Sequence, residues 1–276
     1  MSSDGKTLFG RIYNVTIGTL DVSALRCSFR VKKSLKPEPN VATVKIWNLS
    51  EKSRAVFSGK GALKIRVEAG YRETGLHQIY LGEVRSGHST VEGPDIVTEV
   101  TTGDGETAIQ TSRIHVPVGP SMPVNVVLEA IVKALGVGQG NVGQLAAALS
   151  SSGVASMFGP GSALSGSAAR QLTDFCRSAD LEWSIQDGKI QILNLNKPLE
   201  GKAVKLSPSS GLLGSPTVDG KGVVKAKTLM IPELAPGRLV VFESKGVNGG
   251  YRLQQVEYVG DTHGEDWGTE IECKKY

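Results

Sequence analysis

The sequence predicts a mainly β protein in which two β domains flank a small α+β insert. Three observations predict it. Apolar and charged residues alternate strictly in segments near both ends, helical spacing is confined to the middle, and glycines punctuate the short segments as turns. The 34 glycines show no collagen period, and 276 residues suffice for about two domains with a core that needs no staples.

The N-terminal domain is expected over residues 1–107. Leu25, Cys27, Phe29 and Val31 alternate with Arg26, Ser28, Arg30 and Lys32, and Leu63, Ile65, Val67 and Ala69 with Lys64, Arg66 and Glu68. A period of two puts one set on a buried face and the other in water, whereas a helix would smear the charges around its circumference. Less regular strands are expected near 8–18, 41–48, 77–86 and 95–102, punctuated by Gly70, Gly82 and Gly103-Asp104-Gly105. Ser50 can cap a short helix, Glu51 suits its positive end, and Ala55 with Val56 or Phe57 could then close one end of a barrel. Short strands at this spacing predict a barrel or sandwich.

The insert is expected over residues 108–200. Met122-Pro123 opens a helix whose Val124, Val127, Leu128, Ile131 and Leu135 share one face, and Gly136 ends it. A second helix starts near Ser167, with Ala168, Leu172, Phe175, Cys176 and Ala179 inward. Residues 181–185 and 189–193 form a hairpin around Asp187-Gly188. The unit reads helix, helix, hairpin. Between the helices, residues 136–166 are rich in Gly, Ala and Ser, with Gln144 to Leu149 a candidate helical turn. This stretch reads as a surface loop or, alternatively, as a segment that orders against a neighbouring subunit.

The C-terminal domain is expected over residues 201–276, with room for completion by strands of the insert. The run 223–231 is β-branched-rich and stops at Pro232, Pro236-Gly237 turns, and 239–242 is a short apolar strand. Asn248-Gly249-Gly250 marks a hairpin, and Tyr251, Leu253 and Gln255 alternate with Arg252 and Gln254. Val256, Tyr258, Ile271 and Cys273 continue the sheet, and no exact internal repeat is visible.

Little in the chain signals chemistry. The net charge of +4, from 31 basic and 27 acidic residues, does not argue for nucleic-acid binding. Cys27, Cys176 and Cys273 are far apart and read as buried free thiols. No run is apolar enough to span a bilayer and the N-terminus lacks a signal-peptide core, so the protein is expected to be made in the cytosol and stay soluble. The richest polar cluster is Gly260-Asp261-Thr262-His263-Gly264-Glu265-Asp266-Trp267. It fits a metal site, a hydrolytic acid/base pair, or a polar loop in which Asp261 and Thr262 bond the local backbone and Trp267 anchors. The loop reading is preferred, because no second His or Cys lies at ligand spacing. His77, His88 and His115 are isolated, Asp104 and Glu106 read as a turn at a domain boundary, and Gly136 to Gly140 follows a helix, the wrong place for phosphate. No nucleophile elbow, P-loop or dinucleotide fingerprint is present. The sequence therefore predicts no catalytic residue, no cofactor and no metal.

A family resemblance emerges from these segments together. Val44-Lys45-Ile46-Trp47-Asn48-Leu49-Ser50, the short helix after it, Val67-Glu68-Ala69-Gly70-Tyr71 and Tyr80-Leu81-Gly82-Glu83-Val84 resemble the first barrel of baseplate hub proteins of contractile phage tails. Ile231-Pro232, Pro236-Gly237, Gly250-Tyr251 and the Gly260 to Trp267 run are similar to the second barrel. The resemblance spans nearly the whole chain, and the combination carries it rather than any one motif.

The resemblance implies a fold of two tube-protein-like β-barrel domains joined by the helix-helix-hairpin insert, with late-control D and type VI spike-hub proteins as relatives. It implies a non-enzymatic homo-oligomer, a trimer forming a pseudo-six-fold ring that adapts the hexameric tail tube to the trimeric central spike. The partners implied are the tail-tube protein, the central spike protein and other baseplate proteins, with the tape-measure protein a further candidate. No membrane insertion is expected, and DNA only passes the lumen. The implied location is the virion tail baseplate, assembled in the host cytoplasm. The chain is shorter than the larger hubs and shows no spike or lysozyme extension, which leaves open a separate tip protein. Two other readings stand beside it: a tail-associated peptidoglycan hydrolase using Asp261, His263, Glu265 or Asp266, and a host-binding β module, for whose sugar-stacking surface 5% aromatic content is low.

Overall fold

The computed structural model describes residues 8–58, 63–119, 122–143, 145, 162–195 and 197–276. Period-two segments become strands throughout. The N-terminal part supplies β1 (Arg11–Ile17), β2 (Leu20–Asp21), β3 (Cys27–Ser34), β4 (Val41–Trp47), β5 (Lys64–Tyr71), β6 (Gly75–Glu92) and β7 (Asp95–Gly103). Between β4 and β5 lie α1 (Glu51–Arg54) and a 3-10 turn (Ala55–Ser58), and the Ser50 hydroxyl accepts the Ser53 amide at 3.1 Å, the cap its sequence position predicts. The middle supplies α2 (Glu106–Thr111), β8 (Arg113–Val118), α3 (Val124–Leu135), β9 (Ser162–Ser167), α4 (Ala168–Ser178), β10 (Leu181–Gln186) and β11 (Lys189–Asn194). The C-terminal part supplies β12 (Val204–Leu206), β13 (Leu212–Val218), β14 (Val223–Leu229), β15 (Leu239–Glu243), β16 (Asn248–Asp261) and β17 (Trp267–Lys274).

The chain divides into two compact units. The first comprises Met1–Ser34, Asn40–Gly103 and Asn196–Tyr276, and the second Leu35–Pro39 and Asp104–Leu195. The first unit is one 13-stranded sheet in the order β13-β14-β17-β16-β3-β4-β7-β6-β5-β1-β2, with β15 also on β16 and β12 parallel to β15. No closed barrel forms among the described residues. Sequence alternation suggests separate N- and C-terminal sheets. Here β16 and β3 pair from Gln255↔Ser34 to Asp261↔Ser28, and the two halves become one sheet.

Both halves feed one hydrophobic core. Val15, Phe29, Val44, Ile65 and Tyr80 from the first half share it with Phe242, Val256, Tyr258 and Ile271 from the second. Most of their charged neighbours face out, so β3, β14 and β17 each bury one face; Lys33 of β3 is the exception, buried with its ammonium donating to the Ile79 carbonyl at 3.3 Å.

The second unit has its own core. Val127, Leu128 and Ile131 of α3 pack with Leu172 and Phe175 of α4 and with Trp183, Ile185, Ile190 and Ile192 of the β10–β11 hairpin. Beside α3, α4 and the β10–β11 hairpin, this unit holds a second strand pair, β8 with β9, and α2. β9 takes up the end of the segment expected as a loop. The candidate turn at 144–149 lies, apart from Leu145, outside the described residues.

Candidate functional site

The Gly260 to Trp267 run joins β16 to β17, and its polar groups are tied to the fold. Asp261 Oδ1 accepts the His263 and Gly264 amides, both at 2.9 Å, while Oδ2 accepts the Arg26 guanidinium at 3.0 Å. Burial alone would raise the Asp261 carboxyl, but Arg26 and the two amides outweigh it and hold the group below the usual carboxylate value. Thr262 forms a ladder step with Cys27: its amide donates to the Cys27 carbonyl at 2.9 Å, and its hydroxyl accepts the Cys27 amide at 3.0 Å. Arg11 donates to the carbonyls of Gly264 (2.8 Å) and Glu265 (3.0 Å), and its guanidinium lies 5.6 Å from the Trp267 ring centre. Trp267 is buried edge-on to Phe29, with ring centres 5.7 Å apart. Gly260 lies so close to that Phe29 ring that an added methyl would approach it to 2.3 Å.

His263, Glu265 and Asp266 point to solvent at the rim of this loop. A general base needs a free lone pair aimed at a substrate, and both Asp261 oxygens already accept structural donors. Among the described residues no group of three His, Cys, Asp or Glu side chains could hold a metal. The arrangement works as a latch fastening β1, β3, β16 and β17 at one end.

The other candidate residues are dispersed. His77 bonds the Thr74 carbonyl at 2.9 Å, His88 stands opposite Glu99 on β7, and His115 is exposed on β8. Asp104 is buried and receives the amides of Asp187 (2.6 Å) and Gly188 (2.8 Å), so it fixes the β10–β11 turn. Sequence reading gives Asp104 a place in a turn but no partner, because its partners lie 83 and 84 residues away. Burial pushes the Cys27 and Cys176 thiols up to about 12 and raises Cys273 as well, the opposite of an activated nucleophile.

What the first unit offers instead is surface and edge. Cross-strand ion pairs run over the solvent face of the sheet: Lys225–Glu272 (3.0 Å), Lys227–Glu270 (2.7 Å), Arg30–Glu257, and Lys45–Glu99 (3.5 Å). Glu272 and Glu270 raise Lys225 and Lys227 above the ordinary lysine value through direct hydrogen bonds. The strands from β14 to β7 thus carry a polar, charge-paired face.

The sheet also contains the same module twice. Strand order β3-β4-β7-β6-β5 matches β13-β14-β17-β16-β15, with every neighbour antiparallel in both. Local details coincide. β6 carries a bulge between Val84 and Ser86, and β16 carries one between Leu253 and Gln255. The Val84 amide donates to the Leu63 carbonyl as the Leu253 amide does to that of Arg238. The Lys45–Glu99 pair corresponds to Lys227–Glu270, and the fully buried Thr98 to Thr269.

Comparisons with known proteins agree with this architecture. The family described as Baseplate hub gp41 matches residues 14–273. No curated protein matches the sequence. Among solved structures, the prophage MuSo2 43 kDa tail protein from Shewanella oneidensis is similar with a TM-score of 0.65 and 10% identity over 95% of this chain and 96% of its own. The tail protein from Neisseria meningitidis MC58 gives 0.65 at 9% identity, covering 97% of both chains. The E. coli c3393 protein, a type VI secretion component with structural similarity to the T4 tail proteins gp27 and gp5, gives 0.58 at 9% identity over 95% of this chain and 76% of its own. At such identities these likenesses show a shared fold, while the family match covers nearly the full sequence. The chain belongs to the baseplate hub gp41 family, structural proteins of the phage tail.

Proposed function

We propose that this chain is the hub of a contractile tail or tail-like particle, three copies closing a pseudo-six-fold ring between the hexameric tail tube and the trimeric spike. The observation that carries this reading is the doubled module: one sheet holds two five-stranded runs of identical order. Three such chains present six like modules to a six-fold neighbour while keeping three-fold symmetry towards a three-fold one. Each module then contributes a tube-like barrel wall, and the barrels are completed between modules.

The charge-paired face lines the lumen in this reading. Because Lys225, Lys227, Arg30 and Lys45 are each matched by a carboxylate, the wall holds little net field to bind passing DNA. The division at residues 1–107, 108–200 and 201–276 assigns ring formation to the two β parts and neighbour contacts to the insert. The chain has no catalytic role in this scheme. Its partners are the tail-tube protein, the spike protein and other baseplate proteins, and assembly takes place in the host cytoplasm. Mixing the purified chain with tail tubes from the same particle tests the role. The chain is expected to cap one end of each tube in electron micrographs, and binding along tube sides or none at all contradicts it.

A further inference from the structure

The two modules differ in what flanks them, and the difference designates an interface. β16 uses one edge twice: Asn248–Arg252 pair with β15, and Gln255–Asp261 pair with β3, the first strand of the other module. β6 uses the equivalent edge once. Its Gly75–Glu83 half pairs with β5, and beside Ser86–Glu92 on that edge no strand is paired among the described residues. β13, the counterpart of β3, pairs with β14 and, among the described residues, with no other strand. One module-to-module joint is therefore filled within the chain, and its equivalent is open at both ends.

Side chains at the open joint are exposed where their counterparts are buried. Pairing registers align Val218 with Val31 and Val91 with Gly260. Val31 is fully buried and Val218 is 55% exposed, while Gly260 is buried and Val91 is 77% exposed. Leu213, on the same β13 edge, is 46% exposed. Exposed aliphatic groups on two complementary open edges mark surfaces covered in an assembly.

We infer that Ser86–Glu92 of β6 pairs antiparallel with β13 of a second copy of this chain, repeating between copies the β16–β3 joint. This rests on the ring reading above and supplies its contact. By register, Ser89 stands opposite Val218 and Thr90 opposite Thr217, as Tyr258 stands opposite Val31 and Val259 opposite Arg30. The contact is head-to-tail, so it propagates until it closes. β13 departs from β3 by a bulge between Leu213 and Thr217 that contains Pro216. A bulged, proline-bearing edge resists indiscriminate strand addition, which narrows the edge to a partner shaped for it.

Thr90→Cys and Thr217→Cys chains test the pairing, because the native Cys27, Cys176 and Cys273 are buried. Oxidising a mixture of the two single variants is expected to give a disulfide-linked dimer, and the double variant a covalent ring of three. Neither single variant alone links to itself. A trimer that forms without the link overturns the pairing and leaves the ring reading intact. A chain that stays monomeric at every concentration, with no link, overturns both. Thr90→Cys linking to itself shows a two-fold joint and overturns the head-to-tail contact. Val218→Asp and Val91→Asp, both at exposed positions, are expected to weaken association at least ten-fold, with a melting midpoint equal to the wild type's at dilutions where both are monomeric. Unaltered association overturns the inference.

Discussion

Asp261 shows how a residue that looks chemical is spent on structure. Its carboxylate accepts one guanidinium and two amides, and charge-assisted bonds of this kind are each worth about 1.5–3 kcal/mol. Asp261→Asn is expected to lower stability by about 2 kcal/mol at neutral pH in denaturant titrations. The folded carboxyl lies below its ordinary value of 3.8, so its contribution is complete above that value and is lost as pH falls through the folded one. The wild-type advantage over the Asn variant should therefore vanish under strong acid; a difference that persists there assigns it to something other than ionisation. Gly260→Ala drives a methyl into the Phe29 ring and should cost about 1–3 kcal/mol by the same titration. The local backbone bonds of Asp261 were legible in its Gly-Asp-Thr-His-Gly setting. Arg26 and Arg11 were not, since Arg26 lies 235 residues from Asp261 and Arg11 lies 253 from Gly264, and nothing local selects them.

Elements were legible where one face is buried. β3 and β5 follow their alternation and α3 and α4 their helical stripes, because a strand or helix against a core cannot place charges inward cheaply. β8 and β9 were missed. In β9, Ser162–Ser167, Leu164 is the one large apolar residue, and Pro117 interrupts the alternation of β8. The distal half of β6 was cut short for a similar reason: Val91 is the one large apolar residue of Ser86–Glu92, and the strand is met at Gly87 by Phe57 from the 3-10 turn. The separate core of the second unit has its own consequence. Leu172→Ala should cost about 2–5 kcal/mol, and calorimetry should show a lowered transition for this unit while that of the sheet stays in place. A single transition that shifts as a whole contradicts independent cores.

At the scale of the whole molecule, the alternation of residues suggested two β parts, and only the family resemblance implied that they are alike. The modules share strand order, bulge position and a Lys–Glu pair while their residues differ, so alignment of letters finds no repeat. Their fusion through β3 and β16 was equally hidden, because a strand's partner is set by tertiary contact and not by its own pattern. A hub with two like modules per chain should assemble in threes. Native mass spectrometry of the purified protein, read with electron-microscopic class averages, tests this directly. The account predicts three chains per particle in a ring with six similar lobes, and a closed dimer or a six-chain ring would contradict it.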